Sequence, residues 1–194
     1  MKLSFAFAGL LLASATAVQA IPVQWTVASG GNGHWYDVAM TRTLGQDAPT
    51  HALNQSFMGM TGYLATITSA GENAFVQALV EGQSAVTNPW ISGSDAAQEG
   101  TFVYNSGPEA GQLMTYGNWH PGEPNDAGGG EDYVQMYARA GQWYSGNWND
   151  LFNTAYLDGY VVEYSSVATV PVPATLPLLA TGLGLLALRR RKAA

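Results

Sequence analysis

Cysteine is absent from the 194-residue chain, so neither a disulfide framework nor thiolate chemistry is available to it. Basic residues are nearly as scarce. Of seven, Lys2, Arg189, Arg190, Arg191 and Lys192 lie at the two ends, leaving Arg42 and Arg139 in the body. All 14 acidic residues fall in that body, between Asp37 and Glu163, which gives it a formal charge of −12. Such a balance argues strongly against nucleic acid, whose affinity for protein depends on basic residues releasing phosphate counterions. Histidine occurs only at 34, 51 and 120, without a metalloprotease helix motif, and no nucleophile–base spacing is present. What remains is a surplus of carboxylates without basic partners. That suits a cation-binding protein, or simply an acidic soluble one.

The two ends read as addresses. Lys2 precedes an apolar run from Leu3 to Val18, and Val18-Gln19-Ala20 closes it, the pattern of a secretory signal cleaved after Ala20. At the other end no charged residue occurs from Ser165 to Leu188, and Arg189-Arg190-Arg191-Lys192 follows. A helical bilayer span needs about 20 apolar residues; Ala174 to Leu188 falls short, and extension back to Val167 reaches it. The basic cluster would then stay cytoplasmic with the body outside. Val170-Pro171-Val172-Pro173-Ala174, the Leu/Gly-rich helix and the basic tail together resemble the PEP-CTERM sorting signal of Gram-negative bacteria. Val172 stands where the name-giving motif has Glu. The resemblance implies residence in the inner membrane before an exosortase-type enzyme acts, then delivery to the cell surface or extracellular matrix. A plain membrane anchor is the alternative. The expected organisation is a signal peptide over 1–20, one domain over 21–166 and a sorting segment over 167–194. An exported domain without disulfides relies on packing, on bound metal, or on both.

Along the body, alternation predicts strands over 23–27 and 35–40, and a helix from Ala48 toward Met60 opened by Pro49 or Thr50. Residues 63–67 read as a short strand. Ser69 and Glu72 form a capping box, with Glu72 reaching back to the cap, for a helix whose apolar stripe is Phe75, Val76, Leu79 and Val80. Residues 89–91, 133–137 and 160–164 supply further strands, and 143–148 reads as a turn into another. Between them, residues 93–130 hold nine of the 23 glycines with little periodicity, as a long functional loop would. No internal repeat occurs. The class is α+β: two short helices with short antiparallel strands.

Carboxylates and amides concentrate at three places. Asp95 and Glu99 open the loop, Glu123, Asn125, Asp126, Glu131 and Asp132 follow around Pro124 and Gly128-Gly129-Gly130, and Asn149-Asp150 comes after one strand. Every candidate ligand is an oxygen, which suits Ca²⁺ over zinc or copper. Glycines let such a loop fold tightly, and carboxylates so close repel one another unless a cation neutralises them.

Gly62-Tyr63-Leu64-Ala65-Thr66-Ile67, Glu72-Asn73-Ala74-Phe75-Val76, Trp90-Ile91, Gly117-Asn118-Trp119, Gly122-Glu123-Pro124-Asn125, Glu131-Asp132, Trp148-Asn149-Asp150 and Gly159 to Tyr164 resemble, in this order, a C-type lectin-like domain. The resemblance covers most of the body. It implies a principal Ca²⁺ site at Glu123, Asn125, Glu131, Asn149 and Asp150, with a cis Pro124 peptide and two vicinal sugar hydroxyls completing the coordination. Glu-Pro-Asn resembles the arrangement that selects mannose-, glucose- or fucose-type hydroxyls over galactose. An auxiliary Ca²⁺ site is implied at Asp95, Glu99, Asp126, Glu131 and Asp132, ordering the loop, so one or two ions are expected. Tyr133 and Val162 stand where the family usually has cysteines.

The expectation is therefore a non-enzymatic, calcium-dependent carbohydrate-binding domain, with surface or matrix polysaccharide as its partner. The rivals are an adhesive or structural domain in which calcium only orders the loop, and a glycosidase using Glu123 and Glu131. A bound cation opposes the latter, because it lowers the pKa that a general acid needs raised. Trp25, Trp35, Trp90 and Trp143 are assigned to core or turn packing; Trp119 or Tyr144 could instead stack on a sugar.

Overall fold

The computed structural model describes residues 21–83 and 85–165, so the predicted signal peptide and the sorting segment lie outside the described residues. Strands β1 (Val23–Gln24) and β2 (Trp35–Ala39) pair antiparallel, with Gln24 opposite Trp35. The first strand is shorter than expected because the Thr26 side chain accepts the Ser29 N–H and bends Val27–Ser29 into a 3-10 turn. Strand β3 (Thr43–Leu44) leads into helix α1 (Ala48–Leu53), which has Pro49 in its first turn. This helix ends well before Met60. Ser56–Phe57 (β4) and Met60–Thr61 (β5) instead form a hairpin through Met58 and Gly59, at φ 50° and 79°. Strand β6 (Tyr63–Leu64) follows.

Helix α2 spans Ala70–Glu81. Ser69 Oγ accepts the Glu72 N–H at 3.2 Å, as a cap should. Glu72 does not reach back to the Ser69 N–H; its Oε2 accepts from the backbone N–H and hydroxyl of Thr68, at 2.8 and 2.9 Å. Val76 and Val80 are fully buried, with Phe75 and Leu79 packed beside them.

Strands β7 (Trp90–Ser94), β8 (Tyr133–Met136), β9 (Trp148–Leu151), β10 (Tyr156–Leu157) and β11 (Tyr160–Tyr164) complete the fold. The main sheet runs β1-β2-β11-β7-β8-β9, and β6 also pairs with β11. Its pairings are antiparallel except one: β11 lies parallel to β7, with Tyr160 opposite Trp90. The small β3–β10 pair was not expected; each strand is only two residues long and shows no alternation of its own.

One core cluster, including Tyr36, Ile67, Val76, Val80, Ile91 and Trp148, holds α2 to the sheet. A second, including Ala48, Ala52, Leu64, Trp90 and Val162, holds α1. Tyr133 and Val162, where the resemblance implies cysteines, each pack against a glycine. A Cβ on Gly62 would sit 2.6 Å from Val162 Cγ1, and one on Gly45 would sit 2.5 Å from Tyr133 Cβ. Bare backbone packs directly against both side chains, and any larger residue at 45 or 62 would push them away.

Beside the first cluster lies a buried polar network that joins β2, α2 and β11. Glu72 and Glu163 are 2% and 1% exposed. The Tyr36 hydroxyl donates to Glu72 at 2.5 Å and to Glu163 at 3.2 Å. His34 Nδ1 lies 2.5 Å from Glu163 Oε1, and the Thr66 N–H donates to Glu163 Oε2 at 3.0 Å. Burial pushes the Glu72 carboxyl up, and the hydrogen bond to Glu163 is the main cause that pushes the His34 imidazole up.

Candidate functional site

The long loop leaves β7 at Ser94 and returns at β8. Isolated bridges link Ser94 to Val103, Val103 to Leu113 and Trp119 to Trp148. The loop is otherwise held by side chains. Asp150, buried on β9, carries the central contact: its carboxylate accepts the Asn125 N–H at 3.1–3.2 Å and the Asp126 N–H at 2.9 Å. The Glu123–Pro124 peptide between these residues and the sheet is cis, as expected. Gly130 takes φ 125°, which only glycine adopts readily, and this turns the chain so that Asp126 Oδ1 accepts the N–H groups of Gly130 and Glu131. Glu131 Oε2 in turn accepts the Ala127 N–H at 2.8 Å. The Asn149 amide group lies against the Asp150 carbonyl.

The structure thus brings Glu123, Asn125, Glu131, Asn149 and Asp150 to one end of β8 and β9. Among the described residues, two buried side-chain oxygens have no hydrogen-bond partner: Glu123 Oε2 and Asp95 Oδ1. One falls in each predicted cation site. A carboxylate oxygen that has left water and found no donor is costly, and a hard cation is the partner that such an oxygen fits. A cleft lined by Glu99, Phe102, Pro124, Asn125, Asp126 and Asp150 adjoins both sites.

In the second set, Asp95, Glu99 and Asp132 each offer an oxygen, and the three lie within 4.8 Å of one another. Glu131 and Asp126, expected to join them, are not part of that triad. Asp126 is engaged with the loop's own N–H groups, which hold its carboxyl below the usual range. The other acids shift the opposite way. Burial, followed by the charges of neighbouring acids, raises Glu123, Glu131, Asp95 and Glu99. At Glu123 the nearby His120 opposes the rise, and Arg42 lies 3.8 Å from Asp158.

The family profile described as Lectin C-type domain matches residues 54–155. The chain belongs to the C-type lectin domain family. Domains of this family are typically extracellular, commonly bind calcium, and act by binding rather than catalysis. The chain is 36% identical over 114 residues to the low affinity immunoglobulin epsilon Fc receptor of Mus musculus, 59% of this chain and 30% of that protein. It is 33% identical over 147 residues to halomucin of Haloquadratum walsbyi, 71% of this chain and 2% of that protein. Identity to pulmonary surfactant-associated protein D of Bos taurus is 31% over 119 residues, 61% of this chain and 29% of that protein. The chain therefore spans under a third of each of these relatives. An EPNH mutant of CEL-I superposes with a TM-score of 0.58 at 28% identity, covering 70% of this chain and 92% of that one. The cow CD23 carbohydrate-recognition domain, solved in the presence of a GlcNAc2Man3 oligosaccharide, superposes with a TM-score of 0.52 at 30% identity, covering 69% and 89%. These likenesses suggest carbohydrate binding for the C-type lectin domain described here.

Aromatic placement resolves two alternatives that the sequence left open. Trp119 is partly buried and packs against the core, with ring centroids 4.9 Å from Phe102 and 5.8 Å from Trp148. Trp143, assigned to core or turn packing, lies in the turn between β8 and β9 and is 76% exposed. Together with His120, Tyr137 and Tyr144 it forms a surface cluster whose ring centroids lie 5.2–6.4 Å apart. The alternation of Tyr137, Trp143 and Tyr144 around glycines gave no sign of which faces point outward. The buried Glu72–Glu163 network was also missed. Its available signal was Glu163, a lone carboxylate inside an otherwise apolar final strand.

Proposed function

We propose that this protein is a calcium-dependent lectin that binds hexoses with mannose-, glucose- or fucose-type vicinal hydroxyls. The observation that carries the reading is Glu123 Oε2, buried without a partner beside Asp150 in an acidic cluster that makes no ion pair with Lys or Arg among the described residues. Glu123, Asn125, Glu131, Asn149 and Asp150 would hold the ion. When bound, the ion supplies open coordination positions for two sugar hydroxyls. The surrounding residues set their orientation: carboxylates accept from each hydroxyl while the amides of Asn125 and Asn149 donate to it. Asp95, Glu99 and Asp132, with Asp126 and Glu131 nearby, would hold a second ion that orders the loop. The oligosaccharide named with cow CD23 contains mannose, and the EPNH of the CEL-I mutant shares three letters with Glu123-Pro124-Asn125.

The protein would be exported through the 1–20 signal. Its 167–194 segment would be inserted in the inner membrane, handled by an exosortase-type enzyme, and lead to the bacterial surface or matrix. Among the described residues no helix is long and apolar enough to cross a membrane; the segment concerned lies outside them. A single sugar site of this kind is weak, and a crowded surface would supply avidity. A second reading, an adhesive domain in which calcium only orders the loop, is favoured by the Asp95–Glu99–Asp132 triad, whose three oxygens lie within 4.8 Å of one another without a residue of the principal site.

The test is retention on mannose and galactose resins in calcium and then in chelator. Retention on mannose, release by chelator and loss in Asn149→Ala with an unchanged circular dichroism spectrum are expected. Passage through both resins in calcium would overturn the lectin reading in favour of the adhesive one. Asp150→Ala is unsuitable as the variant, because Asp150 also anchors two backbone N–H groups of the loop.

A further inference from the structure

A second concavity opens beside the proposed sugar site, of about 290 Å³ and lined by Asn88, His120, Tyr137, Arg139 and Tyr144. That is near the lower end of small-ligand sites, about 300 Å³. The exposed indole of Trp143 stands at its edge, 5.2 Å from the His120 ring and 5.7 Å from Tyr144. The walls are held in place. The Tyr137 N–H donates to the Asn147 carbonyl at 2.8 Å, the Arg139 N–H donates to Ser145 Oγ at 2.9 Å, and Ser145 Oγ donates to Glu81 on α2 at 2.5 Å. The β8–β9 turn is therefore pinned to a helix.

This concavity is continuous with the first site through its backbone. The His120 carbonyl accepts the Glu123 N–H at 2.8 Å, and the His120 N–H donates to the Trp148 carbonyl, one residue before Asn149, at 2.9 Å. One turn thus forms both the floor of the concavity and the start of the Glu123 loop. A chain of sugars leaving the first site has this surface within reach.

Its chemistry differs from that of the first site. Aromatic faces carry partial negative charge and attract the C–H-rich faces of a pyranose ring. Arg139 is one of two basic residues in the body. Arg42 sits over the Tyr156 ring and beside Asp158, whereas Arg139 takes part in no ion pair among the described residues. In a body of charge −12 an anion is repelled nearly everywhere. Glu123 and Glu131 act on Tyr137 in this lining, and the guanidinium fork of Arg139, which matches a carboxylate with two parallel N–H···O bonds, is the group placed there to offset them.

We propose that this concavity is a second sugar subsite that takes a uronic acid, linked to the hexose held at Glu123, with its carboxylate on Arg139 and its ring against Trp143 and Tyr144. The inference rests on the lectin reading of the Glu123 site and names the kind of glycan that site serves: an acidic heteropolysaccharide.

Titration calorimetry of the full chain in calcium tests it with three probes: mannose, glucosyl-mannose and glucuronosyl-mannose. The acidic disaccharide should bind about tenfold tighter than the neutral one, equivalent to about 1.4 kcal/mol. Arg139→Gln should erase that difference and leave mannose affinity unchanged. Trp143→Ala should weaken both disaccharides and spare mannose. Equal affinity for the two disaccharides, or an acid preference that survives Arg139→Gln while mannose still binds, overturns the subsite and leaves the lectin reading standing. Absence of calcium-dependent mannose binding overturns the lectin reading and the subsite with it.

Discussion

Asp95→Asn should change stability in opposite directions with and without calcium. Asp95 is 2% exposed; its Oδ2 accepts the Gly100 N–H at 2.9 Å, while Oδ1 has no partner. Its carboxylate lies within 4.8 Å of an Asp132 oxygen. At that separation two like charges repel by about 3 kcal/mol for an effective dielectric of about 20. Solvent at the partly exposed Asp132 reduces this to about 1–2 kcal/mol. The amide keeps the shape, removes the repulsion and weakens the Gly100 hydrogen bond by about 0.5 kcal/mol. In chelator the variant should therefore gain about 1 kcal/mol, or about 2–4 °C in Tm for a domain of this size. In calcium at about 100 times Kd, binding stabilises the natural protein by about 2.7 kcal/mol. A variant with about 100-fold weaker affinity keeps only about 0.4 kcal/mol of that. Differential scanning calorimetry of both proteins in both solutions should show their order of stability reversing. An equal loss in chelator and in calcium would refute the reasoning and leave Asp95 as an ordinary acceptor for the Gly100 N–H.

Metal-free protein should become more stable as pH falls from about 7.5 to about 5.5. His34, with its pKa raised in the fold chiefly by Glu163, contributes stability that is complete below its unfolded value and lost as pH rises through the folded one. Glu72, Asp95, Glu99, Glu123 and Glu131 are raised as well and act in the same direction, whereas Asp126 is lowered and acts only at stronger acidity. Urea midpoints across that range in chelator check the sign, and a midpoint that falls on acidification refutes it. Asn73→Ala orphans the buried Trp148 Nε1–H, which Asn73 Oδ1 accepts at 2.7 Å, and frees Gly146 O from one of its two side-chain donors. The expected cost is about 2–3 kcal/mol, read as a lower urea midpoint with an unchanged slope. A loss under about 0.5 kcal/mol would show that water or a neighbour replaces the amide.

The grouping of carboxylates and amides in the candidate site was legible because these side chains are of one chemical kind and cluster along the chain. Glu123, Asn125, Glu131, Asn149 and Asp150 need only one returning strand to meet, and the β8–β9 register, with Val134 opposite Asp150, provides it. Helix α2 was legible from Ser69 and its apolar stripe, since capping and periodicity are local. Where the sequence reading failed, the deciding contact was distant. Helix α1 ends early because Phe57 and Met60 are drawn into a hairpin packed against the α1 core. Glu72 bypasses Ser69 because Tyr36 and Asn32, far away in sequence, share its carboxylate. For Trp143 core and turn packing were both left open; its exposure follows from the turn it occupies, and no local pattern records which way the ring faces.

The strand order also sets how the domain carries mechanical load. Gln24 and Tyr164 both lie opposite Trp35, so the entering and leaving chain flank one residue of β2. Their anchorage is unequal. Strand β1 is a two-residue edge, whereas β11 is bonded to β2, β6 and β7 at once. Tension applied beyond Tyr164 has to shear several ladders together, while tension applied before Val23 peels a single short one. A domain tethered through its C-terminal end and pulled by a ligand bound in the long loop would bear that force through its most resistant strand, leaving its weakest one slack.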